Sequence, residues 1–260
     1  MFSPPTPFLV GMVHLPALPG SPQHRLSRRD CIAHAVADAR VLADAGFDAL
    51  MIENFGDAPF CADHLEPVTI AALGIIAAEV GQAVSLPVGI NALRNDAQAA
   101  LGIAVAAGAS FIRVNVHIGV SAGDQGWLVG RADETLRARQ RLAADIAILA
   151  DVHVKHATPI SQTDIALAAE ETAYRGLADG LIVTGSTTGR AVDLDAVEKV
   201  KQAVPDKPVL AGSGATAETV AGILAVADGV IVGSSLKPEG RADRPVDAKR
   251  AAAFIGAARA

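Results

Sequence analysis

Apolar residues along this chain come in short blocks, and each block follows an alanine-rich stretch with helical spacing. AGFDALMIEN (45–54), AGASFIRVNV (107–116), RGLADGLIVTG (175–185) and VADGVIVGS (226–234) share this form. In each, a small residue or glycine suits a helix C-cap, and aliphatic residues then enter a buried strand. Similar strands are readable at 8–14, 86–91, 148–155 and 208–213. Eight strand–helix units with no Pro/Ser-rich linker predict a closed parallel (β/α)8 barrel, a TIM barrel of the α/β class, as one domain over residues 1–260. An open doubly wound sheet would carry G-x-G-x-x-G after its first strand, whereas this chain reads HLPALPGSP there.

The connections are unequal. Helix-to-strand turns such as DAGFD, AAGAS, GLAD and VPDKP are short, while strand-to-helix loops at 15–27, 54–64, 119–133 and 234–246 are long. In a barrel all the long ones lie at the carboxyl ends of the strands, the face where such folds keep their sites.

Alternation along a strand gives each side chain a direction. In the fourth strand Ile112, Val114, Val116 and Ile118 are expected to face the helices, and Phe111, Arg113, Asn115 and His117 the lumen. In the fifth, Val152 and Val154 point outward and Asp151, His153 and Lys155 inward. Met51 and Glu53 of the second strand and Asn91 of the third also point inward. His14, Thr184 and Ser213 end the first, sixth and seventh strands. Barrel interiors are normally filled with branched apolar side chains, and a buried unpaired polar group costs about 1–3 kcal/mol. A stability role explains such a charged interior poorly; a catalytic or ligand-binding cavity explains it better.

Composition narrows the partners. Hydrophobic residues make up 51% of the chain, enough for a large core, and the formal charge of −6 comes with no basic stripe, so nucleic-acid binding is not expected. No run of eighteen apolar residues is present, so no integral membrane segment is expected, and MFSPPTPFLVGMV lacks the basic start of a signal peptide. Two cysteines, Cys31 and Cys61, fit a reducing compartment, the cytoplasm by default.

Within the expected cavity, Glu53, Asp151, Lys155 and His153 are the candidate catalytic groups, as proton carriers or, for Lys155, as an amine that attacks or polarises a carbonyl. His14, Asn91, Arg113, Asn115, His117 and Thr184 are candidates for orienting substrate. His14, His117 and His153 with nearby carboxylates leave a divalent metal open, although no compact metal motif assigns one. LAGSGAT (210–216) and IVGSSLK (231–237) place small residues after the seventh and eighth strands, where barrels often hold phosphate. Ser213, Gly214, Gly233 and Ser234 are the expected contacts, with further donors from VTGSTTG (183–189).

Taken together, GMVHLPALPGSP (11–22), IENFGDAPF (52–60), IRVNVHIG (112–119), ADVHVKHATPI (150–160), DGLIVTGSTTG (179–189), LAGSGAT and DGVIVGSSLK (228–237) resemble the BtpA/SgcQ family, in order and over nearly the whole chain. The resemblance implies a ribulose-phosphate-binding type of barrel and marks His14, Glu53, Asn54, Asp57, Arg113, Asn115, His117, Asp151, Lys155 and His156 as motif positions. It also carries two associations, photosystem I biogenesis and carbohydrate-related operons, without an established reaction. The expectation is therefore an isomerase, epimerase or lyase of a small phosphorylated metabolite, working as a homo-oligomer. The alternatives are a non-catalytic photosystem I assembly factor and a ligand-binding sensor.

Overall fold

Polar side chains cap the helices where the sequence changes from strand to helix. Ser27, Asp96, Asp164, Asp193 and Asp247 each accept an amide of the first helical turn. At the other ends, Gly46 (φ 97°) and Gly108 (φ 71°) take the left-handed conformation that lets the chain turn straight into the next strand. A computed structural model describes residues 3–142, 144–185 and 192–260.

The strands are β1 (Phe8–His14), β2 (Ala49–Glu53), β3 (Val88–Asn91), β4 (Phe111–Val114), β7 (Ala147–Val152), β9 (Gly180–Val183), β10 (Val209–Ala211) and β11 (Gly229–Val232). All are parallel and close into a barrel in the order β1-β11-β10-β9-β7-β4-β3-β2. The helices outside it are α1 (Arg28–Ala45), α2 (Pro67–Ala83), α3 (Ala97–Ala107), α4 (Ala132–Arg141), α5 (Ile165–Glu170), α6 (Leu194–Ala203), α7 (Val220–Leu224) and α8 (Ala248–Ala258). The expected (β/α)8 architecture is what forms.

The hydrophobic core divides as alternation requires. Leu50, Ile52, Val88, Ile90, Ile112, Val114, Ile148 and Val152 join the layer between strands and helices. Phe8, Val10, Met12, Met51, Phe111, Leu149, Ile182, Leu210 and Ile231 fill the lumen. The barrel floor is therefore apolar, and the polar residues sit in a single layer above it. Burying one such Leu or Ile side chain contributes about 1.5–3 kcal/mol.

Two expectations need correction. The fourth strand stops at Val114 and the fifth at Val152, so inward alternation does not run on to His117 or Lys155. His153 (φ 54°) and His156 (φ 60°) adopt left-handed backbone, which breaks the strand after Val152. The loop at 119–133 is also not structureless. It folds as a hairpin of β5 (Val120–Gly123) and β6 (Gly126–Val129), and β5 pairs antiparallel with β8 (Ala157–Pro159). Val116, Leu128 and Val154 form a small separate core with this sheet. Val116 and Val154 thus pack there rather than against the helices.

Gly89 and Phe111 are register partners on β3 and β4, and a Cβ at Gly89 would lie 2.1 Å from the Phe111 ring. The ring occupies the space that the glycine leaves open. Gly89→Ala is expected to destabilise the fold by about 1–3 kcal/mol, and adding Phe111→Leu should recover part of the loss. Urea denaturation of both variants checks this; equal stability of Gly89→Ala and the parent would refute it.

Candidate functional site

Strand register assembles the polar layer. His14 pairs with Glu53, Glu53 with Asn91, and Asn91 with Arg113 across β1, β2, β3 and β4. Each is the inward residue at or near the carboxyl end of its strand, so one row of polar side chains crosses four neighbours. Asp151, two residues beyond Leu149, the register partner of Arg113, continues the row on β7.

Arg113 and Asp151 form a buried two-pronged pair, with Nε to Oδ1 and Nη2 to Oδ2 both at 3.0 Å. Asn115 Nδ2 donates to Asp151 Oδ2 at 2.7 Å. Asn91 Nδ2 in turn donates to the Arg113 carbonyl (3.2 Å) and reaches Asn115 Oδ1 (3.4 Å). Burial alone would press the guanidinium toward neutrality, but the Asp151 carboxylate outweighs it and holds the Arg113 pKa above its ordinary value. Both Asp151 oxygens are thus engaged, which suits a residue that fixes Arg113 better than one that carries a proton.

His14 has the opposite character. Burial, then the charges of Lys237, Lys155 and Arg113, push its pKa well below 6.5, so the ring is neutral. Its Nε2 lies 3.9 Å from Glu53 Oε1, and the ring sits 4.8 Å from that of Phe55. Lys155 follows the same rule. Burial, then Arg113, lowers its pKa from 10.5, while Glu53 and Asp151 act against the shift. Its backbone is fixed on both sides: the amide donates to Thr184 Oγ1 at 3.0 Å, and its carbonyl accepts from Arg94 Nη2.

A cavity of about 240 Å³ is lined by His14, Glu53, Arg113 and Lys155 of this layer. Ser213, Gly214, Gly233 and Ser234 line it too, so these expected site residues share one space. The turns after β10 and β11 are tied together, because Ser235 Oγ donates to the Ala215 carbonyl at 2.6 Å. Gly233 allows a close approach: a Cβ there would stand 2.5 Å from His14 Cε1. Gly214 has φ 71°, a conformation glycine adopts without strain. Ser213 Oγ accepts the Gly185 amide at 2.6 Å. Residues 186–189 of the VTGSTTG segment lie outside the described residues.

Other candidates fall elsewhere. His117 is buried with Nε2 2.8 Å from the Gly176 carbonyl, at the end of the turn that follows α5. His153 Nε2 lies 2.9 Å from the Gln162 carbonyl. Asn91, Asn115, His117, Asp151, His153 and Thr184 do not line this cavity; Asn91, Asp151 and Thr184 support residues that do. His14, His117 and His153, which left a divalent metal open, are not brought together: His117 and His153 lie against backbone carbonyls elsewhere. Among the described residues no group of three or more His, Cys, Asp or Glu side chains is placed to hold a metal ion.

Sequence reasoning gave no role to Arg94 and Lys237, both buried. Arg94 sits in the loop after β3, in an unremarkable NALRND stretch. Lys237 is wholly buried, donates to the Ala242 carbonyl at 2.9 Å and lies 3.6 Å from Asp38 Oδ2 of α1. Only the positive charge it adds near His14 could have hinted at it, and that requires the fold. Asn54 and Asp57 act as loop staples: Asp57 accepts the Leu18 amide (2.7 Å) and the Asn54 side chain (2.9 Å), and Asn54 Oδ1 accepts the Leu93 amide (2.7 Å).

The BtpA family model matches residues 6–260. The chain belongs to the BtpA family. Among this family member's relatives is the photosystem I biogenesis protein BtpA of Synechocystis sp., 44% identical over 96% of this chain and 87% of that protein. An uncharacterized protein of Methanocaldococcus jannaschii is 43% identical over 96% of this chain and 94% of its own length. Solved structures of the same fold include phosphoribosyl anthranilate isomerase from Thermus thermophilus (TM-score 0.59, 13% identity, 96% of each chain). Another is tryptophan synthase from M. tuberculosis (TM-score 0.61, 18% identity, 97% of this chain and 92% of that chain). No described helix is long and apolar enough to cross a membrane.

Two predictions follow from the electrostatics of this site. Asp151→Ala strands the buried Arg113 charge and is expected to cost about 3–5 kcal/mol of stability, against less than about 1 kcal/mol for Asp133→Ala, whose partner Arg137 is exposed; urea denaturation curves of the two variants decide it. The second concerns pH. Because the folded protein resists protonating His14 while the unfolded chain protonates near 6.5, stability is full above that pH and falls as pH drops below it. The His14→Gln variant should lose less stability than the parent between about pH 7 and pH 5, and parallel stability–pH curves would rule the assignment out.

Proposed function

We propose that this BtpA family protein is an enzyme acting on a small phosphorylated metabolite, with isomerase, epimerase or lyase chemistry at the barrel mouth. One observation carries the reading: the same cavity is lined by glycine- and serine-rich turns and by Glu53, Lys155 and Arg113. Backbone amides at Gly214, Gly233 and Ser234 can approach an anion closely because no Cβ or only a small side chain intervenes.

In the same cavity, Glu53 is a buried carboxylate suited to removing a proton from carbon beside a carbonyl. The Lys155 amine, its pKa lowered, and the fixed charge of Arg113 would hold the oxygen on which negative charge develops. The neutral His14 would hydrogen-bond the substrate without adding charge. Asp151, Asn115 and Asn91 would keep Arg113 in place, and Thr184 would do the same for the Lys155 backbone. The likeness to phosphoribosyl anthranilate isomerase concerns the fold, and the reading rests on this chain's own residues.

A second reading comes from the 44% identity to the Synechocystis photosystem I biogenesis protein: a non-catalytic assembly role. If variants Lys155→Ala and Asp151→Asn restored photosystem I in a deletion host as well as the parent does, that reading would prevail. The unpaired cysteines Cys31 and Cys61 support a reducing compartment such as the cytoplasm.

Calorimetric titration with a panel of sugar phosphates tests the main reading. At least one is expected to bind, and Ser234→Asp should abolish that binding by setting like charge against the phosphate. For the compound that is turned over, Glu53→Gln and Lys155→Met are expected to lower the rate roughly 10²–10⁴-fold with little change in affinity. Failure of the whole panel to bind would overturn the proposal.

A further inference from the structure

Glu53, Arg113 and Lys155 line a second cavity as well, of about 310 Å³, on the side away from the glycine-rich turns. A ligand seated over these three residues therefore has space on both sides of it. The two spaces differ in chemistry. The first is walled by Gly, Ser and Thr of the turns after β10 and β11. The second is walled by Phe55, Phe60 and Leu93, with Arg94 and Gln125 among its polar members.

The loops bring these groups together from distant parts of the chain. Phe55 and Phe60 come from the loop after β2, Leu93 and Arg94 from the loop after β3, and Gln125 from the turn of the β5–β6 hairpin. The wall is held in place: the Leu93 amide donates to Asn54 Oδ1, and the Arg94 amide donates to the Cys61 carbonyl at 3.1 Å. Two buried polar atoms on lining residues, Arg94 Nε and Gln125 Oε1, have no hydrogen-bond partner. One is a donor and the other an acceptor, and buried polar atoms of this kind are ordinarily satisfied.

Two phenylalanines and a leucine offer flat apolar contact, and the Arg94 and Gln125 side chains that line the same space add polar groups beside it. Plain sugar phosphates would leave this lobe without a suitable occupant. We propose that the second lobe takes a planar heteroaromatic ring, so that the substrate is nucleotide-like: phosphate at the turns after β10 and β11, pentose over Glu53, Arg113 and Lys155, and ring against Phe55 and Phe60. This inference rests on the phosphate reading above and narrows its substrate class.

The test uses the full chain and four probes: inorganic phosphate, ribose 5-phosphate, adenosine 5′-monophosphate and uridine 5′-monophosphate, each titrated by calorimetry. At least one nucleotide is expected to bind roughly tenfold or more tighter than ribose 5-phosphate, the scale of a single ring stacked on an aromatic side chain. In Phe60→Ala that advantage should shrink to within about threefold, while ribose 5-phosphate affinity stays unchanged and so reports an intact fold. Gln125→Ala, at the half-buried tip of the β5–β6 hairpin, should give a smaller loss in the same direction. If ribose 5-phosphate binds and neither nucleotide binds more tightly, the ring lobe is refuted and the phosphate reading stands. A nucleotide advantage that survives Phe60→Ala in full also refutes the lobe. If no phosphorylated probe binds, both fall together.

Discussion

The buried pair of Arg113 and Asp151 is the interaction on which the mouth of this barrel depends. Its two parallel hydrogen bonds at 3.0 Å satisfy charges that burial would otherwise make very costly. Once fixed, Arg113 sets the field for its neighbours. It helps keep His14 neutral and helps lower the pKa of Lys155. Two groups that would ordinarily carry charge, or gain it just below neutral pH, are thereby shifted toward their uncharged forms. An apolar pair of similar volume often serves stability as well, so stability alone does not account for this one.

The position of that pair follows from two regularities, the side-chain period of two and the strand register. Below it, Phe8, Phe111, Leu149 and their neighbours fill the lumen and shut the cavity from beneath. Among the described residues this leaves the cavity on the side of the carboxyl ends of the strands. There the long loops meet it: the turns after β10 and β11 from one side, the loops after β2 and β3 and the β5–β6 hairpin from the other. The staples made by Asn54 and Asp57 matter for this reason, since they bind three separate loops into one wall.

Much of this was legible in the amino-acid sequence because it depends on local periodicity. The boundaries of β1 coincide with the apolar run 8–14, and the inward placement of Glu53, Arg113 and Asp151 needs only alternation. Alternation fails where the strands end. His153 takes φ 54°, and from there the direction of each side chain depends on loop geometry that no periodicity encodes. Lys155 reaches the cavity by that irregular path, while His117 and His153 turn to backbone carbonyls outside it. Arg94 and Lys237 were invisible for a related reason: each is a lone cation in a loop, and its burial depends on elements far away in sequence, such as Asp38 of α1.

The family relationship and the fold constrain function differently. Relatives with 43–44% identity cover nearly the full chain, so the arrangement of loops at the mouth is expected to be shared with them. Likeness to the isomerase and synthase barrels, at 13% and 18% identity, fixes the scaffold alone. The turns after β10 and β11 line one space with Glu53, Arg113 and Lys155, and Phe55, Phe60 and Leu93 line a second that shares those three residues. On the proposed reading a substrate reaches from one lobe to the other across Glu53 and Lys155, and binding energy from both ends can then be used to hold the middle of the molecule over those two residues.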